Sequence, residues 1–267
     1  GSEMCIRDRN NMGNNYLVET CLLTFGLVSI SNDRIKKAWN VPDAKLCWIE
    51  NGEIIIDHIE AYLKFRETKP ELKFSCTTIQ QAIENRWSGA LTASGTMEVC
   101  RRKGIEYAVS CGIGGIGDIK GEELCDDLPA LRDLPVKLIA TSPKDMLDIQ
   151  ATFDWLHYNN VPVLGVNNDV CTGYVFNSGE IPLDGEIGTT IPIAPLLILQ
   201  GISEKSRIQN EDILAEAVKI AKFAEQEGRY YHPAANAALD KLTNGYSSDI
   251  QLLSLIENIR FAETIAK

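Results

Sequence analysis

The chain predicts an α/β fold: a layered α/β/α arrangement with a central, largely parallel sheet and a helical C-terminal third. Two observations carry this. Over residues 16–166, short apolar runs of strand length alternate with segments whose apolar residues recur every three or four positions. Beyond residue 210 the strand-like runs stop and three helical patterns follow one another.

In chain order, residues 16–23 read as a first strand and 33–39 as a short helix. Residues 46–56 alternate in strand fashion about Asn51-Gly52, a turn pair. The pattern becomes partly helical over 54–65. Residues 72–75 form a short strand, 77–86 a helix, and 92–103 a second helix ending at Gly104. A strand over 105–110 leads into the glycine-rich stretch 111–117. The apolar run 136–141 is the next strand. Ser142-Pro143 then opens a helix, with Ser142 as N-cap and Asp145 three residues on. Its apolar stripe is Met146, Ile149, Phe153 and Leu156. Residues 161–166 are another strand. In the last third, 212–227 is amphipathic, with Ile213, Ala217, Ile220 and Ala224 inward. Residues 233–242 form a helix stopped by Asn244-Gly245. A final helix spans 248–266, with Ser248 and Gln251 as capping box. No repeat and no interdomain linker interrupts 16–267, which reads as one domain. Gly1-Ser2 resembles a cloning remnant, and 1–15 a poorly ordered leader.

Composition narrows the function. The chain has 267 residues, 45% hydrophobic, and a formal net charge of −11. No Lys/Arg block is present, which argues against a nucleic-acid polymer as partner. No apolar stretch reaches membrane-spanning length, so no membrane is expected. The eight cysteines include no C-x-x-C pair and sit among apolar residues, which suits free thiols in a reducing, cytoplasmic setting.

Lys144 is the most informative residue. In the first turn of the helix expected after Ser142, a cation meets the positive end of the dipole. The lysine should titrate low and offer a neutral amine, as a Schiff-base or carbinolamine nucleophile requires. An ordinary solvated surface lysine is the competing reading. Gly112-Ile113-Gly114-Gly115-Ile116-Gly117 matches G-x-G-x-x-G after a strand. The helix and the acidic residue that a dinucleotide fold needs downstream are both missing. The loop is left as a close-approach anion loop or a purely structural turn. Glu122, Glu123, Asp126 and Asp127 crowd the next segment and suit a hard divalent cation or a solvated helix start.

These pieces together resemble the pseudouridine-5′-phosphate glycosidases, the indigoidine synthase A-like family, from about Leu17 to the C-terminus. Val18-Glu19-Thr20-Cys21, followed by Gly26, resembles the family's Leu-Glu-Ser-Thr segment. Lys73-Phe74-Ser75 resembles its Lys-Val-Ser. The stretch from Gly89 to Met97 resembles its Gly-Ala-Thr-Thr-Val-Ala-Ser-Thr-Met. Gly112 to Gly115 resembles its glycine turn, and Ala140 to Asp148 the region around its nucleophilic lysine. Ser248-Asp249-Ile250-Gln251 followed by Asn258 resembles its C-terminal motif.

The resemblance implies a lysine that attacks C1′ of a ring-opened ribose 5-phosphate and a glutamate that protonates the departing heterocycle. On that basis Lys144 is the nucleophile and Glu19 the acid, its pKa raised by burial. Lys73, Thr92, Gly112, Gly114, Gly115, Cys125, Asp126, Asp127, Asp249 and Asn258 are substrate-binding candidates. Glu123 is the candidate ligand of a Mn²⁺ or another divalent cation. A homotrimer and a phosphorylated sugar or nucleotide substrate are also implied. A C-glycoside synthase or lyase for a different heterocycle, and an inactive binding homologue, are the alternatives. Phe25 replaces the family's histidine, and the loop after Gly115 is about two residues shorter and lacks its His-Arg.

Overall fold

The structure is a computed structural model that describes residues 15–27, 29–117 and 124–266. The 1–15 leader, apart from Asn15, lies outside the described residues, as does Glu123.

Among the described residues fourteen strands form three sheets: β7 (Gly112–Ile113) pairs with β9 (Ser142–Pro143), β11 (Val170–Cys171) pairs with β12 (Ile181–Pro182), and one mixed sheet holds the other ten. They are β1 (Tyr16–Val18), β2 (Leu46–Glu50), β3 (Glu53–Asp57), β4 (Leu72–Phe74), β5 (Gly89–Leu91), β6 (Tyr107–Val109), β8 (Lys137–Ala140), β10 (Val163–Gly165), β13 (Gly185–Glu186) and β14 (Leu196–Leu199). Their order is β13-β10-β14-β8-β6-β1-β2-β5-β4, with β3 paired to β2 as a hairpin. Pairing is parallel except at β2/β3 and β2/β5. Asn51 and Gly52 at the hairpin both have positive φ, as the turn pair anticipated.

Side chains on successive strand residues face opposite layers. Tyr16, Val18, Tyr107, Val109, Leu196 and Ile198 enter one core; Leu17, Ala108, Leu138, Ala140, Leu197 and Leu199 enter the other. The first core is covered by α1 (Asn32–Ala38), α2 (Ile59–Glu67), part of α7 (Glu211–Gln226) and α8 (Tyr231–Leu242), and α9 (Tyr246–Ile265). The second is covered by α3 (Ile79–Glu84), α4 (Ala93–Lys103), α5 (Asp127–Asp133) and α6 (Ile149–Tyr158). This is the expected α/β/α layering with its helical last third.

Local signals fixed α4 well. Thr92 caps it by accepting from Gly95 N, and Gly104 ends it in the left-handed region. Elsewhere tertiary contacts overrode the local reading. The first strand stops at Val18, and a π-helix (Leu22–Gly26) follows. Its carbonyl end is held by Arg66, which donates to Leu23 O, Leu27 O and Ile30 O. In α7, Ala217, Ala221 and Ala224 are buried, but Ile220 is exposed rather than inward.

The helix expected at Ser142 does not start there. Ser142–Pro143 is a short strand, β9, paired in parallel with β7 (Gly112–Ile113). The helix begins at Ile149, and Asp148 caps it by accepting from Ala151 N. The last helix starts at Tyr246, so Ser248 lies inside it rather than at its cap. Ser248 instead donates to Asp240 Oδ1, which also accepts from Ser29.

Candidate active site

The ends of three strands build one floor. Glu19 N donates to Val109 O, Thr20 N to Leu91 O, and Ser110 N to Ile139 O, so the chain leaving β1, β5 and β6 converges. Ligands of open α/β sheets collect at such carboxyl ends. A cavity of about 1030 Å³ opens above them, and Glu19, Lys73, Thr92, Gly112, Cys125, Asp126, Asp127 and Lys144 all line it.

Glu19 is 4% exposed. Oε1 accepts from Ser110 Oγ at 3.1 Å and Oε2 from Cys21 N at 3.0 Å. Burial, opposed by the Lys144 charge, pushes its carboxyl up to about 7. Asn258 is fully buried beneath, donating to Ser110 O at 2.7 Å and to Thr141 Oγ1 at 3.0 Å. It therefore supports the Ser110 that holds Glu19 and does not line the cavity, which corrects its expected contact with substrate.

Lys144 is carried by the glycine loop. Thr141 N donates to Cys111 O, Lys144 N to Ile113 O, and Asp148 N to Ile116 O, so the two loops run zipped together. Lys144 is thus outside any helix, and the dipole argument for a low pKa does not apply. Burial disfavours its ammonium, but Cys21, Asp127, Cys125 and Glu19 favour it, and the balance lies above the ordinary lysine value. The direction of this shift is the reverse of the sequence expectation for Lys144. The Asp145 carboxylate beside it accepts from Tyr174 N (2.9 Å) and Val175 N (2.8 Å). A Cβ placed on Gly112 would meet Tyr174 Cε1 at 2.6 Å and Lys144 Cγ at 3.2 Å. The glycine thus lets the tyrosine ring and the lysine stem share one wall.

Of the other glycines, Gly114 N donates to Asp127 Oδ2 at 2.8 Å, and Ile116 N donates to Thr152 Oγ1. A Cβ on Gly114 would lie 2.0 Å from Cys125 Sγ, and one on Gly115 would lie 2.4 Å from Thr152 Oγ1. Gly114 and Gly115 do not line the cavity; they let the loop press against its supports, the structural alternative. Asp127 accepts Ser94 N with its second oxygen, and Asp126 accepts Thr77 Oγ1. Lys73 Nζ lies 5.1 Å over the Tyr230 ring at the cavity's edge.

Asp249 is misplaced by the sequence reading. It pairs with Arg34 on the surface at 2.5 Å, its side chain 44% exposed. Because α9 starts at Tyr246, Gln251 turns inward instead: it is 3% exposed, lines the cavity, and its Nε2 has no hydrogen-bond partner among the described residues. The sequence also missed Ser110, Tyr174, His232 and Asn236, which line the same cavity. Burial, with the charges of Lys144 and Lys73, holds the His232 imidazole well below its ordinary pKa, hence neutral. A usable signal existed for Gln251, a polar residue on an otherwise apolar helical face.

A Mn²⁺ site finds no support in these residues. Among the described residues no three His, Cys, Asp or Glu side chains stand together to hold an ion. Both Asp127 oxygens already accept backbone N–H groups. The predicted ligand Glu123 lies outside the described residues.

The family model described as "Indigoidine synthase A like protein" matches residues 32–267. The chain belongs to this family. A pseudouridine-5′-phosphate glycosidase of Myxococcus xanthus is 27% identical over 254 residues, covering 88% of this chain and 83% of the relative. One from Thermotoga petrophila is 25% identical, covering 82% and 80%. Two solved structures share the family fold with this chain. The prealnumycin C-glycosynthase AlnA, in complex with ribulose 5-phosphate, gives a TM-score of 0.75 at 21% identity, covering 97% of this chain and 94% of its own. An indigoidine synthase A-like protein from Thermotoga maritima gives 0.76 at 21%, covering 96% and 93%.

Proposed function

We propose that the chain is an enzyme of the pseudouridine-5′-phosphate glycosidase type. It makes or breaks the C–C bond between ribose 5-phosphate and uracil through a covalent Lys144–C1′ adduct. The observation that carries this reading is one cavity that holds a half-buried lysine together with a buried carboxyl pushed up to about 7. The relatives named above support it.

A C–C glycosidic bond has no leaving heteroatom, so C1′ must become an electron sink, and an amine provides it. The Glu19 carboxylate takes a proton from the Lys144 ammonium, which frees the nucleophile and arms the acid in one transfer. The amine bonds to C1′ as the C1′–O4′ bond breaks, and O4′ gains the proton that the nitrogen loses. Glu19 then protonates the heterocycle carbon. The nitrogen lone pair forms the C1′=N bond while the C1′–C bond electrons remain on the heterocycle. Water hydrolyses the imine to release the sugar and restore the lysine. Incubation with pseudouridine 5′-phosphate tests this; no free uracil, and no product from the reverse mixture, would refute it.

A second reading is a C-glycoside synthase or lyase for another heterocycle. Phe25, which stands in the cavity wall where the family has a histidine, favours it. The same assay with other heterocycles separates the two. A Mn²⁺ requirement rests on Glu123 alone, and activity with and without a chelator measures it. The implied homotrimer is read by sedimentation velocity. Among the described residues no helix is long and apolar enough to cross a membrane, and a cytoplasmic setting remains part of the proposal.

A further inference from the structure

Two polar side chains on α8 face the cavity one turn apart. His232 lies in the first turn of the helix and Asn236 four residues on, so they share a face. His232 lies near enough to both Lys144 and Lys73 to feel their charges. Asn236 lies toward the π-helix. A Cβ on Gly26 would make ordinary contact with Asn236 Nδ2 at 3.5 Å, so the carboxamide lies beside this part of the π-helix. That carboxamide is half-buried and bonds to no other described group. It faces a wall of Leu22, Phe25 and Gly26.

This wall adjoins the acid. Glu19 Oε2 accepts Cys21 N at the head of the π-helix, so Glu19 and Phe25 belong to one local unit. The acid must reach a heterocycle carbon, so the heterocycle must lean on this unit. An apolar ring face suits Phe25 better than a phosphate or a polyol would. A carboxamide offers one acceptor and a donor pair in a plane, which matches a lactam or imide edge, where N–H stands beside C=O.

We infer that Asn236 and Phe25 form the heterocycle subsite, with the Asn236 carboxamide reading a lactam or imide edge and the Phe25 ring packing on the ring face. Asn236 is a specificity-determining residue, and the inference rests on the reaction proposed above. The experiment separates the two halves of that reaction. Ribose 5-phosphate is trapped on the protein with borohydride, without heterocycle, in wild type, Asn236→Ala and Asn236→Leu. The KM for uracil is then measured in the synthetic direction. The expected result is an unchanged adduct yield in all three proteins, with a uracil KM about 10- to 100-fold higher in both variants. An adduct with an unchanged uracil KM overturns this inference alone. So does an adduct yield that falls with the variants, which would put Asn236 on the sugar. A wild-type protein that forms the adduct but turns over no uracil also overturns it. No adduct in wild type refutes the reaction itself.

Discussion

The Ser110 hydroxyl donates to Glu19 Oε1 at 3.1 Å, joining the ends of two neighbouring strands across 91 residues of chain. That bond favours the carboxylate, while burial opposes it. Ser110→Ala should therefore raise the Glu19 pKa further. Glu19 must be a carboxylate to receive the Lys144 proton, so the rate rises as pH rises through that pKa. The ascending limb of the pH–rate profile should move up by about one unit. A limb that stays in place would detach Ser110 from the acid.

Glu19 also links stability to pH. Its folded pKa of about 7 lies above the ordinary 4.5. Below pH 4.5 both states keep the proton and nothing is lost. Between 4.5 and 7 the unfolded chain releases its proton first, so stability falls as pH rises. Above 7 the penalty is complete, about 3 kcal/mol. Glu19→Gln removes it. The variant should match wild type near pH 4 and melt higher above pH 7. A pH-independent difference in Tm would contradict this.

Lys144→Ala should abolish borohydride trapping of ribose 5-phosphate, measured as intact mass. Glu19→Gln keeps the lysine but lacks the group that receives its proton. Trapping in that variant should be about 10²- to 10⁴-fold slower at neutral pH. A persistent adduct in Lys144→Ala would remove the lysine from its role.

Gly114→Ala places a methyl 2.0 Å from Cys125 Sγ and 3.1 Å from Asp127 Oδ2. Overpacking of that kind costs about 1–3 kcal/mol and should weaken substrate binding through Cys125 and Asp127. Gly188→Ala meets nothing within 4 Å and should stay within about 0.5 kcal/mol of wild type. Urea melts of the two variants make the comparison.

Asp145→Ala strands two backbone N–H groups, those of Tyr174 and Val175. The expected loss is about 2–4 kcal/mol, read as a lower urea midpoint at constant m. An unchanged midpoint would show that the Tyr174 segment is held otherwise.

The sequence announced the layered fold because its strands are buried apolar runs and its helices carry regular stripes. Helix α4 was legible to within one residue: Gly104 marked its end, and Thr92, read as its first residue, is its cap. Ser142-Pro143 carries an equally good local start signal, yet pairing with Gly112–Ile113 overrides it. That override moved Lys144 from a helix end into a loop and reversed the sign of its expected pKa shift. The positions of Lys144, Glu19, Lys73 and the Cys125–Asp127 segment in one cavity were anticipated through family resemblance. Asp249 and Gln251 exchanged places because the final helix begins two residues earlier than its apparent cap. Asn236 and His232 were invisible, since one polar residue per helical turn looks like a solvated face until the neighbouring wall is known.

Asn258 belongs to the last helix, yet it holds Ser110, and through it Glu19, near the start of the chain. That helix also contributes Leu252, Leu255, Ile256 and Ile259 to the core under the first strand. The acid therefore acquires its setting only after residues 246–265 have left the ribosome. A nascent chain paused before that point carries Lys144 and Glu19 but lacks the Asn258 bond that fixes Ser110 beside Glu19.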